Sequence, residues 1–297
     1  MQRAMRTATI RQGRRYDSPS SKKAIPNFIK TYNLTLDDVE LPLEEYQTMN
    51  QFFARKLRSG ARKIIGNDNT VVSAADCRIS VFRTIEEGTS IWVKGQGFSL
   101  ERLLQDDSLA SLYKNGSMVI FRLAPQDYHR FHSPVSGIMG PAIPHHGIFN
   151  SVHPAAIKSS IDVLGTNERV VQTIYSDHFG KVTLIYVGAM MVGSIKVSTM
   201  NGTRVEKGTE LGYFQFGGST VVALFEADKI EFDSDLVNVS KSGLETLIQY
   251  GDSIGVSPHQ NLNGTSLEND EAKSNGNENE NYSWLPISKT PLIVPIH

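Results

Sequence analysis

Apolar and polar positions follow two different rhythms along the chain. Between residues 20 and 60, Leu43, Tyr46, Met49, Phe52, Phe53 and Leu57 recur at three- to four-residue spacing after Pro42, with charges between them, which predicts amphipathic helix. Such a stripe faces a protein core more often than a bilayer. From about residue 70 the rhythm shortens to β-branched runs, VSAADCRISVF, SIWVKGQGF, GSMVIFRL and STVVALFEADKIEF, separated by glycine-containing turns. Two segments return to helical spacing: LERLLQDDSLASLY after residue 100, and LETLIQY, where Ser242 and Glu245 fit a capping box and Gly251 a C-terminal stop. The pattern predicts a mainly β fold with helices (α+β). Its parts are a helical, basic segment over 1–60 that could dock on a membrane, a β-rich core over 61–258, and a polar tail over 259–297. The tail is expected to be disordered, because Gln260–Asn281 holds seven Asn and four Glu with almost nothing apolar to offset the entropy of ordering.

Composition narrows this picture. With 39% hydrophobic residues in 297, the chain can bury a substantial core. Its 30 Lys plus Arg balance 31 Asp plus Glu, so no overall field attracts nucleic acid. The balance is local, however: residues 1–25 carry seven basic side chains and one acid, which suits either a solvated start, a transit remnant or an anionic membrane surface. Cys77 is the single cysteine, which excludes an intrachain disulfide and a zinc site of several thiolates. The longest apolar run, Val182–Ile195, spans 14 residues and falls short of the roughly 18 to 20 that cross a bilayer as a helix. Membrane contact is therefore expected to be peripheral.

The segment Phe214-Gln215-Phe216-Gly217-Gly218-Ser219-Thr220 sets a linker-like tetrapeptide between two expected strands. A tight turn or bulge is the ordinary use of such a sequence. The chemical alternative starts from a Ser that follows Gly in a strained turn. Its hydroxyl can attack the preceding carbonyl, turning the amide into an ester, and removal of the Ser α-proton then expels the upstream chain by β-elimination. The dehydroalanine that remains hydrolyses to a pyruvoyl group with loss of ammonia. This chemistry needs a base and a group to orient it. Asp127-Tyr128-His129-Arg130-Phe131-His132 offers two histidines, which could equally bind a metal or satisfy core hydrogen bonds, and Asp76 in SAADCRIS is a half-buried carboxylate candidate.

Two motifs are set aside. Gly251-Asp252-Ser253-Ile254-Gly255 matches G-x-S-x-G, but a nucleophile elbow needs a strand before it and a helix after it, whereas a helix and polar coil are expected here. Gly95-Gln96-Gly97 lacks the third glycine and the βαβ setting of a dinucleotide site. A rival of another class makes Glu226-Ala227-Asp228-Lys229 the turn of a lipoyl-like carrier with Lys229 as swinging arm, which leaves some two hundred residues unexplained. A self-processing hydrolase keeping Ser219 as nucleophile, and an inactive paralogue, are further alternatives.

Taken together, FRLAPQDYHRFHSPVSGIMG, VGAMMVGS, VEKGTELGYFQFGGSTVVALFE and TMNQFFARKLRSGARKI followed by SAADCRIS resemble the phosphatidylserine decarboxylase family from about residue 5 to about residue 257. The Gly-Gly-Ser-Thr form is closer to the fungal and plant endomembrane type. The resemblance implies a barrel-sandwich-like core and cleavage between Gly218 and Ser219. Ser219 would become a covalent pyruvoyl group, the only cofactor, with no metal. It implies a self-cleaving triad of Asp76, His132 and Ser219, with His129 serving decarboxylation. Phosphatidylserine in membranes would be the substrate, the two chains would stay associated, homo-oligomers are possible, and a peripheral endomembrane location is expected. One departure is Val152-His153-Pro154, where relatives usually have Asn before Pro.

Overall fold

A computed structural model of the chain describes residues 13–91, 98–148, 150–151, 162–188, 195–215, 217, 219–258 and, as backbone, 291–292. The β-branched runs become strands: β1 (Thr70–Val72), β2 (Cys77–Phe82), β3 (Ser117–Leu123), β4 (Arg130–His132), β5 (Gly137–Met139), β6 (Ile143–His145), β7 (Arg169–Ser176) and β8 (Gly180–Gly188). After them come β9 (Ile195–Val197), β10 (Arg204–Val205), β11 (Glu210–Phe214), β12 (Ser219–Phe225), β13 (Glu231–Phe232), β14 (Glu245–Ile248), β15 (Ser253–Val256) and β16 (Pro291–Leu292). Among the described residues, ten strands form one antiparallel sheet in the order β10-β5-β7-β8-β12-β3-β2-β14-β16, with β6 beside β7. Two three-stranded sheets flank it, β4-β11-β9 and β1-β15-β13. The fold is α+β and mostly β, as the pattern predicts.

β12 is the centre of this arrangement. It lies between β3 and β8, and every one of its seven residues is buried, as are all seven of β3. Both faces of these strands are covered, so STVVALF and SMVIFRL read as continuous apolar runs rather than alternating ones. The core gathers Phe121, Phe131, Tyr186, Phe214 and Phe225, with the rings of Phe131 and Tyr186 stacked at 4.1 Å.

The N-terminal part is helical but in short pieces, among them Ile25–Tyr32 and Met49–Phe53. Thr48 caps the second, its hydroxyl accepting from the Gln51 amide at 3.2 Å. Phe28, Tyr46, Met49, Phe52 and Phe53 close on one another as a second apolar cluster, with Tyr46 and Phe52 edge to face at 5.4 Å. The stripe from Tyr46 to Phe53 is thus core, its apolar side chains covered within the protein. Residues 1–12, the Arg-rich start, lie outside the described residues.

Other expectations need correcting. LETLIQY is not a helix: Glu245–Ile248 is β14, paired with β2, and the helix lies just before it at Ser234–Lys241, ending ahead of Gly243 at φ +72°. A sheet edge won over local helical spacing, and Glu245, instead of capping, pairs with the Arg122 guanidinium of the neighbouring region in the sheet. LERLLQDDSLASLY is two helices, Leu100–Leu104 and Asp107–Tyr113, divided where Gln105 adopts φ +50°. In SIWVKGQGF, Ser90 and Ile91 finish a helix, Ile85–Ile91, and residues 92–97 lie outside the described residues. The G-x-S-x-G match runs from the turn after β14 into β15, so a strand precedes it and its serine opens another strand rather than a helix. In the tail, Pro291 and Leu292 pair with β14, while 259–290 and 293–297 lie outside the described residues.

Candidate active site

The chain changes sheets immediately ahead of Ser219. β11 ends at Phe214 in the small sheet and β12 opens at Ser219 in the large one, so the chain passes from one sheet to the other between these two residues. Gly217 holds φ +145°, a region closed to side chains, which explains glycine there. Gly218 lies outside the described residues. Ser219 is fully buried opposite Leu123 and Gly188, and neither its hydroxyl nor that of Thr220 has a hydrogen-bond partner among the described residues. An unpaired buried hydroxyl costs about 1–3 kcal/mol, a penalty usually retained only for a reason.

The histidine motif runs beside this crossing. β4 pairs with β11, and the Phe214 amide donates to the His129 carbonyl at 2.9 Å, so the motif lies along the strand that leads to Ser219. His132 Nδ1 meets the Gly208 carbonyl at 2.9 Å. A carbonyl only accepts, so Nδ1 carries the proton and Nε2 is the basic nitrogen. Nε2 accepts from the Tyr128 hydroxyl at 3.1 Å. Gly208 reaches this position at φ +84°, a conformation that favours glycine. Tyr250 covers the imidazole in parallel at 3.8 Å. Burial lowers the His132 pKa below its ordinary value, against the Gly208 hydrogen bond and the nearby Glu210 and Asp76 carboxylates, which raise it.

Asp76 sits close by through backbone links: the His132 amide donates to the Ala74 carbonyl at 2.8 Å. Its carboxylate, however, does not bond the imidazole. It takes the Arg62 guanidinium, with Nη2 at 2.7 Å and Nε at 3.2 Å, and accepts from the Tyr250 amide at 2.9 Å. Asp76 therefore anchors the residue whose ring covers His132.

His129 has different surroundings. Its Nδ1 donates to the Asp127 carbonyl at 2.9 Å, and Phe53 packs on the ring at 3.9 Å. Nε2 is left as a buried lone pair with no partner among the described residues. Burial pushes its pKa down to about 3, so it is neutral at physiological pH. The preceding Asp127 is tied down by Arg78 at 2.6 Å and by the Ala124 amide at 2.7 Å. Neither histidine hydrogen-bonds Ser219 among the described residues, and no group of three or more metal-ligating side chains occurs there.

The pattern describing the family "Phosphatidylserine decarboxylase" matches residues 49–256. The chain belongs to the phosphatidylserine decarboxylase family. It is 47% identical to "Phosphatidylserine decarboxylase proenzyme 3" of Schizosaccharomyces pombe over 86% of its own length and 27% of that protein. It is 44% identical to "Phosphatidylserine decarboxylase proenzyme 2" of Oryza sativa subsp. japonica over 89% of its own length and 44% of that protein. It is also 46% identical to the "Phosphatidylserine decarboxylase proenzyme" of Chlamydia muridarum, over 79% of this chain and 78% of that one. The chain thus spans less than half the length of these fungal and plant relatives and most of the bacterial one.

Membership in this family sets aside the lipoyl-like carrier. Glu226–Lys229 is the turn between β12 and β13, with Asp228 at φ +58° and the Glu226 carboxylate accepting from the Lys181 amide. Three contributors to the site escaped the sequence reading: Gly208, Tyr250 and Arg62. Each acts through tertiary contact, and only Gly208 and Arg62 fall inside segments that carry the family resemblance. Val152-His153-Pro154 and the segment 189–194 of VGAMMVGS lie outside the described residues. Among the described residues, no helix is long and apolar enough to cross a membrane.

Proposed function

We propose that the chain cleaves itself between Gly218 and Ser219, forms a pyruvoyl group at residue 219, and decarboxylates phosphatidylserine to phosphatidylethanolamine. The observation that carries this reading is the fully buried Ser219 hydroxyl, unpartnered among the described residues, at the start of the central strand that the chain enters on changing sheets. Family membership supports the same reading.

In the self-cleavage, Ser219 Oγ attacks the Gly218 carbonyl carbon. The C–N bond breaks, the nitrogen gains a proton and an ester forms. Removal of the Ser219 α-proton then expels the Gly218 carboxylate and leaves dehydroalanine, and water releases ammonia to give the pyruvoyl group. His132 is assigned as the base, with an unprotonated Nε2 that accepts from the Tyr128 hydroxyl, a tautomer held by Gly208 and a ring fixed by Tyr250. Asp76 orients it through Tyr250. The pyruvoyl ketone supplies an acceptor for the electrons left by CO2, which no encoded side chain offers. His129 is assigned to the decarboxylation step: its unprotonated Nε2 takes up the proton that the substrate amine releases and returns it to the product α-carbon, on an imidazole kept dry by Phe53.

Cleavage divides the chain into residues 1–218 and 219–297. The smaller piece would begin with β12, an interior strand bonded on both sides, which supports lasting association of the two chains. We assign the protein to a membrane surface of the endomembrane system, on its likeness to the fungal and plant relatives. The test is intact mass spectrometry of the purified protein beside Ser219→Ala, followed by CO2 release from phosphatidylserine vesicles. Two pieces meeting at 218/219, the smaller lighter by one ammonia, with CO2 released, are expected. An uncut wild-type chain overturns the reading.

A further inference from the structure

Arg55 is 6% exposed and forms no salt bridge with an acid among the described residues. Its Nη2 donates to the carbonyls of Gln126 and Asp127 at 3.1 and 3.3 Å, but Nη1 has no acceptor among the described residues. Arg169, just as buried, differs: all three of its nitrogens reach carbonyls, those of Leu103, Asn167 and Arg102, which is what a structural arginine does. A buried guanidinium with an open position costs several kcal/mol, and an anion from outside offsets that cost.

A place for such an anion adjoins it. Arg55 lines a cavity of about 420 Å³ together with Lys56, Arg130, Tyr213 and Gln215. Gln215 belongs to the crossing that leads to Ser219, and the Asp127 carbonyl bonded by Arg55 also holds His129 Nδ1, so Arg55 and that histidine share one acceptor. Arg130 is engaged by Glu210 at 2.6 Å and stacks over Tyr213, leaving Arg55 and Lys56 as its available cations. Asp17, Glu40 and Glu45 also line the cavity and balance its three cations. A near-neutral wall with one unsatisfied guanidinium favours a singly charged phosphodiester over a dianion. Arginine's planar fork suits phosphate oxygens.

We propose that this cavity binds the phosphodiester of the lipid headgroup, with Arg55 Nη1 as donor to a non-bridging oxygen. The assignment rests on the decarboxylase reading and names where that reaction's substrate is held. Arg55 is a binding residue and takes no part in bond breaking.

The experiment compares wild type with the processed forms of Arg55→Gln and Arg55→Lys. On phosphatidylserine in mixed micelles, Arg55→Gln is expected to raise KM about tenfold, the effect of one charge-assisted hydrogen bond, with kcat within about threefold; Arg55→Lys recovers part of the loss. Separately, wild type is titrated with sn-glycero-3-phosphoethanolamine and with inorganic phosphate, following the arginine side-chain NMR signals. Saturable shifts of the Arg55 signal with the phosphodiester, and weaker ones with phosphate, support the proposal. An unchanged KM in Arg55→Gln, no shift at Arg55, or phosphate binding as tightly as the phosphodiester overturns it. Should Arg55→Gln fail to fold, the wild-type titration still decides. If wild type releases no CO2 from phosphatidylserine, the decarboxylase reading fails, while the titration judges the cavity on its own.

Discussion

Tyr250 lies face to face on His132, ring centroids 3.8 Å apart and planes 1° from parallel. The two residues stand on opposite sides of Ser219 in the chain, so the proposed cut would leave the imidazole in one polypeptide and its cover in the other. Asp76 holds the Tyr250 amide and not the imidazole, which moves the orienting role from a direct carboxylate–imidazole bond to a ring held in place by one. His132 keeps its tautomer through Gly208 instead.

This arrangement separates ring from hydroxyl. Tyr250→Phe keeps the stack and is expected to process within about threefold of wild type, while Tyr250→Ala leaves the imidazole loose and slows processing about tenfold or more. The rate at which the two pieces appear after synthesis in a cell-free system measures both. Equal rates for Tyr250→Ala and wild type would remove Tyr250 from the site.

The two histidines differ in their surroundings, and the proposed function divides the work between them. His132→Ala removes the assigned base and is expected to remain uncut. His129→Ala is expected to cut and then release CO2 at least about 100-fold more slowly, the range typical of losing a general acid. Mass spectrometry and a CO2 assay on the same preparations check the pair. An uncut His129→Ala protein with a wild-type fold would defeat the division.

How much of this could be read from the sequence depended on whether the signal was local. The central strands were legible because β3 and β12 are covered on both faces and their sequences are continuous apolar runs. The site candidates were legible from DYHRFH and Gly-Gly-Ser as compact segments. Glu245 was misread because its local spacing fits a helix, while its actual partners, β2 and Arg122, are more than a hundred residues away. The apolar stripe of Tyr46, Met49 and Phe52 named a face but not what covers it, and Phe28, which does, belongs to another helix. Gly208 and Tyr250 carry no motif of their own, so nothing local marks them as the groups that set the tautomer and plane of His132.

Acid should weaken the fold through His129. Its pKa falls from 6.5 to about 3 in the folded chain, so below about 6.5 the unfolded chain takes up a proton that the folded chain refuses. Stability is therefore complete above about 6.5 and declines as pH falls toward about 3, by ~1.4 kcal/mol per pH unit for this one group. His129→Phe removes the proton site and should flatten the decline by that slope. Urea unfolding of Ser219→Ala, with and without His129→Phe, at pH 5, 6 and 7 makes the comparison without cleavage, and other titrating groups cancel between the two. Parallel curves would mean that His129 is protonated in the folded chain.

The pair Arg122–Glu245 makes the last prediction. It is buried and doubly hydrogen-bonded, with Nε–Oε1 at 2.8 Å and Nη2–Oε2 at 2.5 Å, and it joins residues on either side of Ser219. Glu245→Gln leaves a buried guanidinium without its counter-charge and is expected to destabilise by about 3–5 kcal/mol, the usual range for breaking a buried pair from one side. Replacing both partners, as Arg122→Met with Glu245→Leu, removes both desolvation penalties and should recover most of that loss. Denaturant unfolding in the Ser219→Ala background measures the two against each other. If the double variant is as unstable as the single one, the geometry of the pair rather than its charge balance holds β14 to the sheet.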